Sequence, residues 1–231
     1  WDYAAEPQAF RRWLDDAEKS GQRFVNPPPL MRWNMNKKYL CDLAAWGADM
    51  IPSVFVLPEN QAVQNILRER GWQEAVIKPA VGQSGRAVTR ITAASPPPDW
   101  RAYPQGVIVQ PYIREIEQAG ETSLIFFNGT FSHAVLRRPP QGEWRANSAY
   151  GVEIRPAAPS ETVVRTARRV LDLLPQMPVY ARVDGTIIGG RLLLNELELI
   201  EPALYLHTAQ GAAERLAAVL VSLLFSVPPQ E

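Results

Sequence analysis

The chain of 231 residues is long enough for one large domain or two small ones, and for a sizeable buried core. Lys+Arg and Asp+Glu balance at 24 each, so no global field favours nucleic acid or an anionic membrane, and the 46% hydrophobic content is that of a soluble globular protein. A single cysteine, Cys41, excludes an intramolecular disulfide framework, no apolar run reaches the length of a membrane span, and no signal-peptide pattern opens the chain, which together point to the cytoplasm.

The first residue is Trp1 rather than methionine, which reads as a processed or trimmed product with something N-terminal missing. In PQAFRRWLDDAEKSG, Phe10, Trp13, Leu14 and Ala17 recur at i, i+3, i+4 and i+7, predicting an amphipathic helix stopped at Gly21. Pro27, Pro28 and Pro29 predict an extended link. A second helix is expected over about residues 36–47, with Asn36 as N-cap and Tyr39, Leu40, Leu43 and Ala44 facing inward. Cys41 within it reads as a core residue rather than a nucleophile. MIPSVFVL reads as a strand, and residues 59–71 as a helix ended by Gly71.

AVIKPAVGQSGRAVTRI has more chemical content. An apolar strand delivers Lys78 to its end, a loop with Gly82, Gln83, Ser84 and Gly85 follows, and a strand resumes. Glycines let successive backbone N–H groups converge on an anion, so this segment suits a phosphate flap. It is not a P-loop, because the GxxxxGK[ST] order is absent and no helix follows. The same four residues also suit a plain hairpin turn, and Lys78 alone reads equally well as a solvated strand lysine.

SPPPDWRAYPQG is a connector, and GVIVQPYI a buried strand running into Pro111. REIEQAGETSLIFFNGTFSHAVLRRP reads as two strands around the turn Asn128-Gly129, with Glu121 heading the first and His133, Arg137 and Arg138 on the second. His133 reads as a hydrogen-bonded strand histidine, not a base. The polar loop PQGEWRANSAYG holds Arg145 and Asn147. SETVVRTARRVLDLLP predicts a helix capped by Ser160, with Val163, Val164, Ala167, Val170, Leu171 and Leu174 inside and Arg165, Arg168 and Arg169 outside. A final helix over about residues 209–225 is expected to pack through Ala212, Leu216, Leu220 and Leu223. The seven tryptophans read as core packing, since no basic stripe accompanies them.

Between these helices, YARVDGTIIGGRLLLNELELIEPALYL reads as a β-hairpin about Gly189-Gly190. Glu196 and Glu198, two apart on one strand, project to one face, and the paired strand can carry Asp184 beside them. Three carboxylates on one face repel unless a cation neutralises them, and oxygen-only ligands suit a hard ion such as Mg²⁺. The plainer reading is that they are solvated strand positions.

In order along the chain, Lys37, Lys78 with its Gly loop, VIVQPYI, GETSLIFF, WRANSAYG and VDG with NELELIEP resemble the ATP-grasp superfamily, in its glutathione-synthetase-like and ribosomal-S6-modification branch. The resemblance covers roughly residues 31–225. It implies an α+β fold of two lobes with antiparallel sheets enclosing a nucleotide cleft, the N-terminal pre-ATP-grasp domain being largely missing: residues 1–49 a remnant with connecting helices, 50–115 the small lysine-bearing lobe, 116–231 the large magnesium-binding lobe. By the resemblance, Lys37 (or its neighbour Lys38) and Lys78 bind ATP, Gly82 to Gly85 cover the phosphates, and Gln110, Pro111, Tyr112 and Ile113 form the hinge that reads adenine. Glu121 stands near ribose and metal, Arg145 meets the transferring phosphoryl group with Asn147 beside it, and Asp184, Glu196 and Glu198 hold Mg²⁺. The branch usually carries an asparagine at Glu198 and an arginine at Ser123, so this chain departs from it twice. WDY at the start, RWN before the lysines and LNELELIEP at the end are similar to a narrower group that includes the ligase closing D-cycloserine from O-ureido-D-serine. The implied activity is an ATP-dependent carboxylate–amine ligase or cyclo-ligase acting on small molecules, with neither nucleic acid nor membrane as partner and a homodimer compatible with it. The alternatives are a catalytically inactive nucleotide-binding protein of the same fold and an unrelated α+β binding module.

Overall fold

The computed structural model describes residues 3–60 and 63–225, in which two antiparallel sheets and seven α-helices surround one cleft. Three helices come first. α1 (Pro7–Lys19) buries Phe10, Leu14 and Ala17, the face its periodicity predicts. α2 (Pro28–Asn34) stands where an extended link was expected. Pro28 and Pro29 occupy its first turn, where a missing N–H costs nothing because that donor has no intrahelical partner, and Pro27 supplies the extended residue ahead of it. α3 (Tyr39–Ala45) is shorter than expected; Asn36 caps the preceding turn instead, its Oδ1 accepting from the Lys38 N–H at 2.9 Å.

The small sheet has the order β1-β4-β2-β3, from β1 (Val54–Val56), β2 (Glu74–Pro79), β3 (Thr89–Thr92) and β4 (Val107–Pro111). α4 (Val63–Arg70) packs Val63 and Leu67 onto its inner face with Ala75, Ile77, Val107 and Val109. The expected helix began earlier, and residues 61 and 62 lie outside the described residues. α5 (Arg114–Ala119) precedes the first strand of the Asn128-Gly129 hairpin: the six residues make a short helix ended at Gly120, whose φ of 90° suits only glycine, and the strand starts at Glu121 as expected.

The large sheet has the order β7-β6-β5-β8-β9, from β5 (Glu121–Phe127), β6 (Thr130–Arg138), β7 (Glu153–Ala157), β8 (Tyr180–Ile188) and β9 (Arg191–Glu198). α6 (Glu161–Asp172), capped by Ser160 as expected, covers one face, where Val163, Ala167, Val170 and Leu171 meet Leu124, Phe126, Val183 and Leu197; Leu40 and Leu43 of α3 join this core. The opposite face is apolar at one end, where Ile125, Phe127, Val135 and Tyr205 pack with Leu216 and Val219 of α7 (Ala212–Phe225). Leu223, expected inside, is 37% exposed. His133 lies here, its ring nitrogens engaged by Ser132 Oγ and the Leu204 carbonyl, the hydrogen-bonded strand role expected of it. At its other end this face is polar.

β9 is an edge strand, which leaves a row of backbone groups to satisfy. Side chains of α2 and α3 take them: Asn34 bonds the Leu197 carbonyl and the Leu199 N–H, and the Tyr39 hydroxyl bonds both the carbonyl and N–H of Leu197. The N-terminal helices thus fix the strand that carries Asn195, Glu196 and Glu198.

Candidate active site

β2 and β4 deliver Lys78 and the segment Gln110–Pro111 to one side of a cavity of about 320 Å³, and β5, β6, β8 and β9 deliver Glu121, Arg137, Arg182 and Glu196 to the other. Every residue named above for nucleotide or phosphoryl contact lines it: Lys37, Lys78, Gly82, Gln83, Ser84, Gly85, Gln110, Pro111, Tyr112, Ile113, Glu121, Arg145 and Asn147. Glu196 and Glu198 line it too, and Asp184 does not. Lys38, the alternative to Lys37, is exposed beside the Phe55 ring.

The lysines meet in the middle. Lys37 Nζ lies 2.8 Å from both a Glu196 carboxylate oxygen and the Gly82 carbonyl, tying the Gly loop to the carboxylate floor. Lys78 Nζ donates to Asn195 Oδ1 at 2.6 Å, and Asn195 donates in turn to Glu121. Burial works against the Lys37 ammonium, but Glu196, joined by Tyr3 and Glu198, outweighs it and holds its pKa above the ordinary value. For Lys78 burial prevails over Glu196 and Glu121, and its pKa is lowered. A lysine with a weakened proton affinity and a hydrogen-bonding neighbour is poised to gain from an arriving phosphate oxygen.

The three acids of the hairpin are held by different partners. Asp184 stands opposite Glu196, and Glu198 opposite Arg182. Among the described residues no three acids, histidines or cysteines form a metal-holding cluster. Arg182 takes both Asp184, at 2.8 Å, and Glu198, while Arg137 takes Glu121 at 2.6 Å and Asp184 at 2.9 Å. Two guanidinium groups neutralise Asp184, which is 1% exposed. Burial alone would raise its pKa, yet the two arginines hold it below the ordinary value. Glu198 has lost that contest: burial pushes its pKa up to about 7 despite Arg182. What remains for Mg²⁺ is the pair Glu196 and Glu198, oxygen donors that line the cleft, and Mg²⁺ is commonly held by one or two carboxylates together with substrate phosphates. The donor set fits the ion in that reduced form.

A bulge explains the crowding. The pairing of β8 with β9 shifts between Asp184 and Gly185, so Gly185 faces Leu194 and Asn195 is the extra residue. A Cβ on Gly185 would stand 2.5 Å from the Leu193 carbonyl oxygen, so only glycine admits this approach. The slip puts Asn195 and Glu196, though adjacent in sequence, both on the cleft.

The polar loop closes the cleft from above. The Tyr150 hydroxyl donates to the Gly85 carbonyl at 3.0 Å, so the Gly loop and the Arg145 loop are latched together. Arg145 itself is held by Glu143, with its Nη2 at 2.8 Å, and lies 3.6 Å over the Tyr150 ring; these bonds lower the Glu143 pKa to about 2. At the far end Gln110 is anchored by its bond to Ser53 Oγ at 2.9 Å, and Tyr112 lies under Arg90 at 3.7 Å. Sequence reasoning gave no role to Asn195, Arg182 or Arg137. Arg182 was legible in principle, two residues before Asp184 on the same strand face; Asn195 was not, because its orientation exists only through the bulge.

Residues 42–204 match the model of the prokaryotic glutathione synthetase ATP-grasp domain. The cycloserine biosynthesis protein DcsG of Streptomyces lavendulae is 34% identical over 243 residues, covering 97% of this chain and 81% of that protein. A glutathione synthetase of Parasynechococcus marenigrum is 27% identical over 198 residues, 82% of this chain but only 60% of its own length. Among solved structures, D-cycloserine synthetase DcsG superimposes with a TM-score of 0.85 at 30% identity over 97% of this chain and 81% of its own. The D-alanine–D-alanine ligase of Bacillus anthracis shares the fold, with a TM-score of 0.68 at 15% identity over 90% of this chain and 73% of its own. The expected α+β ATP-grasp fold is therefore the fold observed, and the chain belongs to the ATP-grasp family of the prokaryotic glutathione synthetases, a family of ATP-dependent ligases.

Proposed function

We propose that the chain uses Mg–ATP to convert a small-molecule carboxylate into an acyl phosphate, which an amine-type nitrogen of the same molecule displaces in a ring closure. The single observation that carries this reading is that Lys37, Lys78, the Gly82–Gly85 loop, Glu196 and Glu198 line one cleft together with two further guanidinium groups. Similarity to DcsG over nearly the whole chain favours the intramolecular form. In this reading residues 50–115 are the lysine-bearing lobe, 116–231 the carboxylate-bearing lobe, and 1–49 tie onto the latter.

A carboxylate is a poor electrophile, and two anions must be brought together before it can be activated, so the protein's task is positioning and charge neutralisation. The Gln110–Ile113 backbone holds the base at one end. Lys37, Lys78 and the Gly-loop N–H groups draw the phosphates toward the floor. Mg²⁺, held by Glu196 and Glu198, would spread the negative charge of the transferring phosphoryl group. Arg182 and Arg137 supply fixed positive charge where the substrate carboxylate must lie, and the latched loop excludes water that would hydrolyse the acyl phosphate. The carboxylate oxygen bonds the γ-phosphorus as ADP leaves; the nitrogen then bonds the acyl carbon, loses its proton, and phosphate departs. Holding nucleophile and electrophile in one molecule makes the second step unimolecular.

The test is ADP release from Mg–ATP with O-ureido-D-serine, and with D-alanine as comparison, by wild-type protein, Lys78→Met and Glu196→Gln. Release that requires O-ureido-D-serine, and falls about a hundredfold or more in both variants, is the expected result. Release indifferent to either compound would contradict the reading.

A further inference from the structure

Tyr3 lies just ahead of α1 and lines the same cleft as Lys37, Glu196, Glu198 and Glu201. Its ring stands 5.6 Å, centroid to centroid, from that of Phe10, and it packs against the cluster of Phe10, Leu14, Met31, Met35 and Ile200. The ring is therefore held on the carboxylate floor.

A second tyrosine marks the opposite end. Tyr112 lies 3.7 Å under Arg90 of β3 and hydrogen-bonds Glu117 of α5, whereas Tyr3 packs against Ile200, two residues beyond Glu198. Both rings line one cavity. Tyr112 belongs to the hinge that would hold the base, and Lys37 with the Gly loop would hold the phosphates. Tyr3 then stands beyond the phosphates, where a carboxylate must lie to attack the γ-phosphorus.

Ala4 to Gln8, which follow it, line a second cavity of about 440 Å³ with Val81, Ala87 and Tyr103, and Pro79, Gly82, Gln83 and Arg86 line both cavities. The N-terminal segment thus lies beside the Gly loop. Burial pushes the Tyr3 phenol up to about 12, so it stays a hydrogen-bond donor throughout the working range of pH.

We propose that Tyr3 is a specificity-determining residue, forming the end wall of the cleft beyond the phosphates, packing against the small carboxylate substrate and donating a hydrogen bond from its hydroxyl to one of that substrate's oxygens. This rests on the carboxylate-activating function above.

Steady-state kinetics with Mg–ATP and O-ureido-D-serine varied separately test it, on the wild-type chain, Tyr3→Phe and Tyr3→Ala. Tyr3→Ala raises KM for O-ureido-D-serine about tenfold, the loss of an aromatic wall and its hydrogen bond, while KM for Mg–ATP stays within about twofold. Tyr3→Phe keeps the contact with Phe10 and hence the fold, and isolates the hydroxyl: KM for O-ureido-D-serine rises about threefold. An equal rise in both KM values, or none in either, overturns the proposal while leaving the ligase reading intact. If the wild-type chain releases no ADP in response to O-ureido-D-serine, the ring-closing reading fails on its own account. The wall for that substrate then falls with it, whereas a tenfold loss of calorimetric Mg–ATP affinity in Tyr3→Ala would overturn the proposal by placing Tyr3 at the nucleotide.

Discussion

The two sheets bury their residues by opposite rules. The small sheet's core, from Val56 through Val109, is wholly apolar, and Gln110 is its one buried polar side chain among the described residues. The large sheet buries Glu121, Arg137, Arg182 and Asp184, each at 5% exposure or less, on the same face that holds Ile125 and Val135. The small sheet is thus a platform that presents Lys78 and the Gly loop through ordinary burial. The large sheet carries the cost of desolvating charges and offsets it with mutual ion pairs, which keeps fixed charge in a place where water cannot reorganise around it. One sheet supplies rigidity and the other supplies field.

Substitutions that separate these two roles should differ in size and in kind. The largest effect is expected for Arg182→Met, which leaves Glu198 without its guanidinium partner and Asp184 with Arg137 alone: urea titration should show a loss of about 3–5 kcal/mol, the usual cost of breaking a buried pair. A loss below about 1 kcal/mol would mean the network is looser than its distances indicate. Gly85→Ala comes next. Gly85 has φ of 69°, and a Cβ there would stand 2.6 Å from Asn147 Oδ1 and 2.9 Å from the Tyr150 ring. The latch between the two loops should break, with turnover falling about tenfold and, for a strain of about 1–3 kcal/mol, the melting temperature falling by roughly 2–10 °C.

Within the small sheet Ile77→Val removes one buried methyl group, and about 0.5–1.5 kcal/mol of stability should go with it, with the KM for each substrate unmoved. The smallest effect concerns pH. Burial lowers the pKa of His133 below its ordinary value of 6.5, so the folded state binds fewer protons than the unfolded one below that pH. Stability from this residue is complete above the unfolded value and is lost as pH falls through it toward the folded value. Melting scans between pH 7.5 and about pH 5.5 should show a decline in wild type that is shallower in His133→Gln. Equal slopes would mean other groups set the acid limb.

Much of this contrast was legible before any coordinates. Lys78 at a strand end, the Asn128-Gly129 hairpin and the Ser160 cap follow from local chemistry and stand where expected. The elements misread were those where local signals point two ways. Three prolines suit an extended link and a helix start equally, and REIEQA, a helix of six residues ended at Gly120, is too short to show a helical period. The lining of the cleft was legible as a list of residues but not as a set of bonds. Strand periodicity placed Glu196 and Glu198 together, yet it could not show Arg182 lying between Asp184 and Glu198, nor Asn195 turned into the cleft by a bulge that depends on Gly185. Charge partners on other strands are a property of register, and register is settled by the whole sheet.

The central claim is that the cleft moves a phosphoryl group onto a carboxylate. The most direct measurement is the fate of oxygen: O-ureido-D-serine labelled with ¹⁸O in its carboxyl group, turned over with Mg–ATP, and the released phosphate weighed by mass spectrometry. An acyl phosphate leaves one labelled oxygen on each phosphate, because the bond broken by the attacking nitrogen lies between carbon and that oxygen. Phosphate carrying no label, released at the same rate as ADP, would contradict the account.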